Sequence, residues 1–390
     1  MEFAGSLGDL GTLLPLAIGM ILINGLNPVG LFVSVGLMYI LTGVYFGVTV
    51  PIQPMKVIGA YAIATSLNAS DILASSLLMA IFLLIIGTTG IITLIAEYTP
   101  KSVVRGIQLS TGALLMSGGV KFIAGNSAFQ KIQGAAEPYL AWQSLGPVPI
   151  GLMIGSLAGL GTMLLLNNKR FPAALVVILS GFLIGLVFGN STVLQELELG
   201  INLPEFMPFD MPGHIDFTFA FLALALPQLP MTLGNAVLAY TDLSKEYFQE
   251  KSHRVTNRSA CISIALANIT SFFLGGMPLC HGAGGLAAHY RFGARTSGSN
   301  LMIGTLFLLL ACVLGQDIIN LLNLLPLSVL GVLLLFSGTQ LAMTIIDLNE
   351  RKDIFVAVLI LGITLASNLA AGFLVGIIVA WCLRRDTFTV

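Results

Sequence analysis

The chain has 390 residues, of which 56% are hydrophobic and only 9% charged, and its mean hydropathy is +0.95. A soluble domain carries roughly 25% charged residues, so a water-soluble fold of this length is excluded and a polytopic helical membrane protein is implied. The net charge of −1 offers nothing to nucleic acid or another polyanion.

The first apolar segment lacks a basic leading region and carries Asp9 and Pro15, so it reads as a span and not as a cleaved signal peptide. Breaks at charges, Gly and Pro then divide the chain into fourteen segments. They run over 4–24, 29–47, 54–67, 72–95, 102–119, 148–166 and 171–189, then 217–240, 258–275, 281–290, 299–315, 318–338, 353–367 and 369–384. Segments 54–67 and 281–290 are too short to span ~30 Å of hydrocarbon, and each is third in a group of seven. With the N-terminus inside, fourteen of the 17 Lys and Arg residues fall in inner loops, Lys121 and Lys131 in outer ones, and Lys56 within the membrane. The longest outer loop carries Glu196, Glu198, Glu205, Asp210 and Asp216 with no Lys or Arg. Both termini are therefore expected on the cytoplasmic side of the plasma membrane.

Seven segments per half turn the second half upside down relative to the first. The fold expected is all-α, with fourteen transmembrane segments in a 7+7 inverted repeat. Residues 1–189 form the first repeat, 190–216 an extracellular connecting loop, and 217–390 the second repeat. "GDLGTLLP" in the first segment answers "LPQLPMTLGN" in the eighth, and "VPIQPMK" entering the third answers "MPLCHGAGG" entering the tenth.

Pro51 and Pro54 prevent a continuous helix, so the stretch before Met55 is expected to be extended, with a half-helix starting near Pro54 or Met55. Pro278 repeats the device before "HGAGG". Irregular backbone at membrane depth is tolerated only inside protein or beside a cavity. The start of a half-helix directs free N–H groups and partial positive charge into that cavity. Two such starts facing each other make an anion site.

The ionisable residues agree with this placement. Of the acids only Asp9 lies well inside the membrane, and of the basic residues only Lys56; His281 begins the second half-helix. A charge at the bilayer centre costs at least ~2.5–3.5 kcal/mol, which makes each a functional candidate. Two readings stand for Asp9 and Lys56. They form a structural ion pair, or Lys56 strengthens the anion site while Asp9 balances it or carries a proton. Thr12 shares a helix face with Asp9, and Gln228, Thr232 and Asn235 share one on segment eight. Such groups also serve as helix–helix hydrogen bonds. For Gln53 and Gln228, beside prolines in matching places, substrate contact is the favoured reading. His289 is expected at the interface near Arg291 and Arg295, and His214 and His253 in solvated loops. Cys261, Cys280, Cys312 and Cys382 have neither metal-ligand nor disulfide spacing and read as apolar core residues. "GLMIGSLAGLGTM" reads as close helix packing. With no Walker lysine, no His-Glu-x-x-His and no hydrolase triad, no enzyme activity, cofactor or metal site is expected.

"GSLGDLGTLLPL", "PIQPMK", "LPQLPMTLGNAV" and "MPLCHGAGGLAAHYRFGART" together resemble the molybdate transporter family, a branch of the sulfate permease superfamily, over essentially the whole chain. The resemblance implies the inverted-repeat fold shared with uracil permease, with segments 1–4 and 8–11 as a core domain and 5–7 and 12–14 as a gate. It implies import of molybdate by alternating access, with tungstate or sulfate as related substrates, between half-helices three and ten. The matching motif positions are Asp9, Thr12, Gln53, Lys56, Gln228, Thr232, His281 and Gly282, with Asp9 and His281 as candidates for proton coupling. The chain stops at Val390, directly after the last segment, so the STAS domain of sulfate permeases is expected to be absent, which leaves open whether the usual homodimer forms. A sulfate, bicarbonate or nucleobase transporter of the same fold, or an anion channel, are the alternatives.

Overall fold

Helix boundaries follow the capping chemistry of the sequence. The computed structural model describes residues 2–92, 100–166, 168, 172–189 and 200–384. α1 (Glu2–Leu22) tightens into a 3-10 turn at Leu7–Asp9. α2 (Pro28–Phe46) starts at Asn27, whose side chain accepts the Gly30 N–H at 2.9 Å, and stops at Gly47, whose φ of 73° suits a residue without Cβ. The two-residue strand β1 (Gln53–Pro54) leads into the ten-residue helix α3 (Lys56–Thr65). α4 (Ala69–Thr89) is capped by Asn68 and followed by α5 (Lys101–Ile123). A short hairpin, β2 (Ser144–Leu145) with β3 (Val148–Pro149), precedes α6 (Ile150–Leu165) and α7 (Ala173–Phe188).

The second half opens on α8 (His214–Ser252), a long run with two π-helical stretches, Ala220–Ala225 and Thr232–Ala239. They flank Leu226–Met231, which holds Pro227 and Pro230. Proline lacks an N–H and its ring crowds the carbonyl one turn back; widened turns on either side keep the helix going. α9 (Asn257–Leu274) starts with a Thr256–Ser259 capping box, β4 (Leu279–Cys280) follows, and then the nine-residue α10 (Ala283–Arg291). α11 (Ser297–Leu314), α12 (Leu327–Ala342), α13 (Arg351–Ala366) and α14 (Leu369–Leu383) are the last helices of the described residues.

Among the described residues seven helical runs are long and apolar enough to cross a membrane. Several expected boundaries shift. Segment 318–338 is split, because Pro326 ends the run from Ile318–Asn323 and restarts the helix as α12. Segment 217–240 extends to Ser252. The end of 72–95, the start of 171–189, and Lys169, Arg170, Glu196, Glu198 and Arg385 lie outside the described residues. Cys261 and Cys280 are buried, whereas Cys382 is exposed and is no core residue.

α2 packs on α11, α4 on α9 and α5 on α12. The last contact is a seam of backbones. A Cβ on Gly112 would meet the Gly338 carbonyl at 2.6 Å, and one on Gly338 the Gly112 carbonyl at 2.6 Å. The expected glycine packing in α6 is only half present. Gly155 abuts Ile123, but Gly159 and Gly161 face open space.

Candidate functional site

β1 and β4 pair antiparallel, Gln53 opposite Cys280 and Pro54 opposite Leu279, and the Met55 N–H donates to the Pro278 carbonyl at 2.8 Å. α3 and α10 therefore begin side by side from one two-stranded ribbon. Buried extended backbone needs partners; Asn300, Asn268 and His281 bond it directly, and His289 meets a side-chain hydroxyl of the same stretch. Asn300 accepts the Val50 N–H at 2.9 Å and donates to the Val50 carbonyl at 2.9 Å and the Tyr39 carbonyl at 3.1 Å. Asn268 brackets Leu279 in the same way, donating to its carbonyl at 2.7 Å and accepting its N–H at 3.2 Å. His281 donates from Nδ1 to the Pro51 carbonyl at 3.1 Å; that oxygen can only accept, so Nε2 takes the Ser263 hydroxyl at 2.9 Å. His289 meets the Thr49 hydroxyl at 2.9 Å from a fully buried position, stacked on Tyr39. The interfacial position expected for His289 is therefore wrong, because the stretch from Thr49 to Val50 needs a polar neighbour in the interior.

The two helix starts are served differently. At α3, Gln228 Oε1 accepts the N–H groups of Val57 at 3.0 Å and Ile58 at 3.3 Å, and its Nε2 donates to Thr232 Oγ1 at 2.9 Å. Asn24 closes the far end, donating to the carbonyls of Ala62 at 2.9 Å and Leu67 at 2.8 Å. At α10 no side chain caps the start, and the N–H groups of Ala283, Gly284 and Gly285 have no acceptor among the described residues. Behind both starts, Gln53 Nε2 donates to Asp9 Oδ1 at 2.6 Å. A Cβ on Gly285 would lie 2.6 Å from both Asp9 Oδ2 and Gln53 Nε2, and one on Gly282 would run into Gln53 Oε1. Asp9 and Lys56 do not form the ion pair considered from sequence: among the described residues no contact within 4.0 Å joins them. Gln53 takes the carboxylate instead.

Beside this arrangement lies a cavity of about 340 Å³. Thr12, Lys56, Met231, Asn235 and Gly284 line one wall; Gln108, Thr162, Ser337, Gln340 and Thr344 from α5, α6 and the α12 side line the other. Lys56 is the one charged side chain among the described lining residues, and no carboxylate is among them. Of the residues singled out from sequence, Thr12, Lys56 and Asn235 reach the cavity. Asp9, Gln53, Gln228, Thr232 and His281 are buried behind it, and Gly284 lines it where Gly282 does not.

The family described as molybdate transporter of the MFS superfamily matches residues 1–115 and 220–341. Over 96% of this chain and 86% of the relative, the sequence is 31% identical to Molybdate transporter 1 of Arabidopsis thaliana. It is 30% identical to Molybdate transporter 2 of the same plant, over 99% of this chain and 88% of that one. The chain belongs to the molybdate transporter family. Relatives of that family are named as transporters, not enzymes. The fold is that of the transmembrane domain of the cyanobacterial bicarbonate transporter BicA, with a TM-score of 0.67 at 15% identity over 97% of this chain and 96% of that one. It also matches murine Slc26a9, an anion transporter in the inward-facing state, with a TM-score of 0.67 at 14% identity over 98% of this chain and 68% of that one.

In this family member two features escaped sequence reasoning. Asn268, in the middle of α9, and Asn300, in the first turn of α11, are the brackets of the ribbon; an Asn within a largely apolar segment was the available signal. Gln108 faces the cavity from the opposite wall. Its Oε1 accepts Arg105 at 2.8 Å and Thr344 at 2.8 Å, and Arg105 is gripped in turn by Asp347. A guanidinium only donates, so the amide oxygen must face it and the NH2 group points away.

Proposed function

We propose that this chain is a secondary active transporter that imports molybdate by alternating access and binds the oxyanion in the cavity beside the starts of α3 and α10. The observation that carries the proposal is the lining. Among the described lining residues, one lysine, no carboxylate, hydroxyl and amide donors and an uncapped helix start suit a tetrahedral dianion, which accepts hydrogen bonds on every side. Lys56 supplies charge, Thr12 a hydroxyl, and the N–H groups at Gly284 and Gly285 the helix end. Gln228, Thr232, Gln53, His281 and Gly282 act behind the site and hold the two starts in register. The cavity is several times the ~30 Å³ share of one water, so a five-atom oxyanion fits with room for water.

The 7+7 inverted repeat and the division into core (α1–α4, α8–α11) and gate (α5–α7, α12–α14) belong to the same reading. A shift of seven elements exchanges the α2–α11 and α9–α4 contacts and maps α5–α12 onto itself, which favours interleaved repeats. The cavity is walled by core elements on one side and gate elements on the other, so movement of one against the other would open it to alternate faces. We place both termini in the cytoplasm and the protein in the plasma membrane, from the distribution of Lys and Arg. Asp9, buried with Oδ2 unpartnered, is the proposed proton carrier; Asp9→Asn is expected to flatten the pH dependence of uptake, and an unchanged profile removes it from that role. Uptake into proteoliposomes of molybdate, tungstate and sulfate, compared side by side, tests the whole proposal. Molybdate uptake that sulfate and tungstate compete with supports it. Sulfate uptake without molybdate uptake moves the assignment to another anion, and single-channel currents would replace a transporter with a channel.

A further inference from the structure

A second cavity, of about 710 Å³, opens on the outer surface between α2 and α9, away from the site above. Arg254, Arg258, Thr256 and Ser259 sit at one end, and Met38, Leu41, Ile262 and Leu266 line its length. Leu41 and Leu266 are each 51% exposed, facing the surroundings of the bundle. From Thr256 to Thr270 the groove follows fourteen residue steps of chain, about 21 Å at 1.5 Å per step. That is somewhat more than one leaflet of a ~30 Å hydrocarbon layer. Polar head at one end and apolar track along a leaflet match a phospholipid in shape.

The charge at the head decides the class. No carboxylate is among the described lining residues. Arg254 commits one N–H to the Tyr45 carbonyl at 3.0 Å, and the rest of its fork has no partner among the described residues. Arg258 has no hydrogen-bond or ion-pair partner among the described residues. Two guanidiniums above an apolar groove fit a phosphate diester attached to acyl chains, whereas a free inorganic anion gains nothing from the track below. We propose that this groove is a seat for an anionic phospholipid, its phosphate between Arg254 and Arg258 and one acyl chain along Leu41 and Leu266. The seat backs directly onto the ribbon. Ser263 lines it and also bonds His281, which holds Pro51.

The test is lipid retention. Protein extracted from membranes of equal phosphatidylglycerol and phosphatidylcholine is analysed by mass spectrometry for the lipids that stay bound. The wild type is expected to retain phosphatidylglycerol in about tenfold preference, and the Arg254→Gln/Arg258→Gln variant to fall back to the ratio of the membrane. Arg258→Gln alone breaks no internal bond and serves if the double variant does not fold; it is expected to lose most of the preference. Leu266→Trp fills the acyl track with both arginines intact and is expected to lower retention as well. Retention at the membrane ratio in the wild type overturns the proposal, as does preference unchanged by the arginine variants. So does loss of the lipid to millimolar inorganic phosphate, or a disulfide between two copies at Leu266→Cys, since a second chain would then occupy the groove.

Discussion

α3 and α10 leave the same ribbon and are close in length, yet they are finished in opposite ways. α3 is closed at both ends, by Gln228 at its start and Asn24 at its finish, and it carries Lys56 at its first position. α10 starts on glycines, has no cap and leaves its first N–H groups free among the described residues. Unpaired donors at membrane depth cost free energy unless something accepts from them. On the proposed reading, the difference teaches that the two helices have separate tasks: α3 would bring a fixed cation on a rigid frame, and α10 open backbone donors. A symmetric pair of helix ends, as the sequence suggested, is replaced by a complementary pair.

The largest expected effect comes from filling the space behind α10. Gly285→Ala forces a methyl between Asp9, Gln53 and Pro51, and overpacking of this kind costs about 1–3 kcal/mol or more. Uptake should fall at least about tenfold, since the helix start must move; normal uptake would mean the close approach has no function. Gln108→Glu sharpens the picture from the other wall. The carboxylate can still accept from Arg105, so the fold is kept, but a donor becomes a negative charge facing the anion. The affinity for molybdate should drop by about tenfold with thermal stability unchanged. Gln228→Ala then separates cap from contact. Removing a cap costs about 0.5–2 kcal/mol, so the protein should melt several degrees lower while the affinity of the surviving folded fraction stays nearly constant.

A third helix start gives the smallest effect. Glu137 accepts the N–H groups of Leu327 and Ser328 at 2.8 Å each, so α12 is capped by a buried carboxylate. Burial pushes its carboxyl above the ordinary range, against the hydrogen bonds from Ser328 and Leu327. A raised folded value means that folding takes up a proton between the ordinary and the raised value, so stability is fullest below that window and declines as pH rises through it. Glu137→Gln should remove that slope from the melting temperature; an identical slope in the variant assigns it to another group.

Much of this was legible in the residues. The prolines at 51, 54 and 278 announced two interrupted helices because a proline cannot donate, wherever it folds. Lys56 and Thr12 were found from the cost of polar groups in hydrocarbon. Gln228 was picked out for the same reason, but its partners are the backbone of Val57 and Ile58, and no spacing within α8 reveals a cap supplied across 171 positions. His289 misled because neighbouring arginines suggest an interface, while the helix turns its ring inward to Thr49. Gln108 was invisible because its significance depends on Thr344 and Asp347, brought beside it by the glycine seam of α5 and α12.

Molybdate binding measured by calorimetry on the purified wild type, Lys56→Gln and Gln228→Ala tests the division of labour most directly. Loss of one charged hydrogen-bond partner is worth about 1.5–3 kcal/mol, so Lys56→Gln should weaken binding roughly tenfold or more. Gln228→Ala should leave it within about twofold. The reverse order, with the lysine variant binding normally and the glutamine variant failing, would contradict the account.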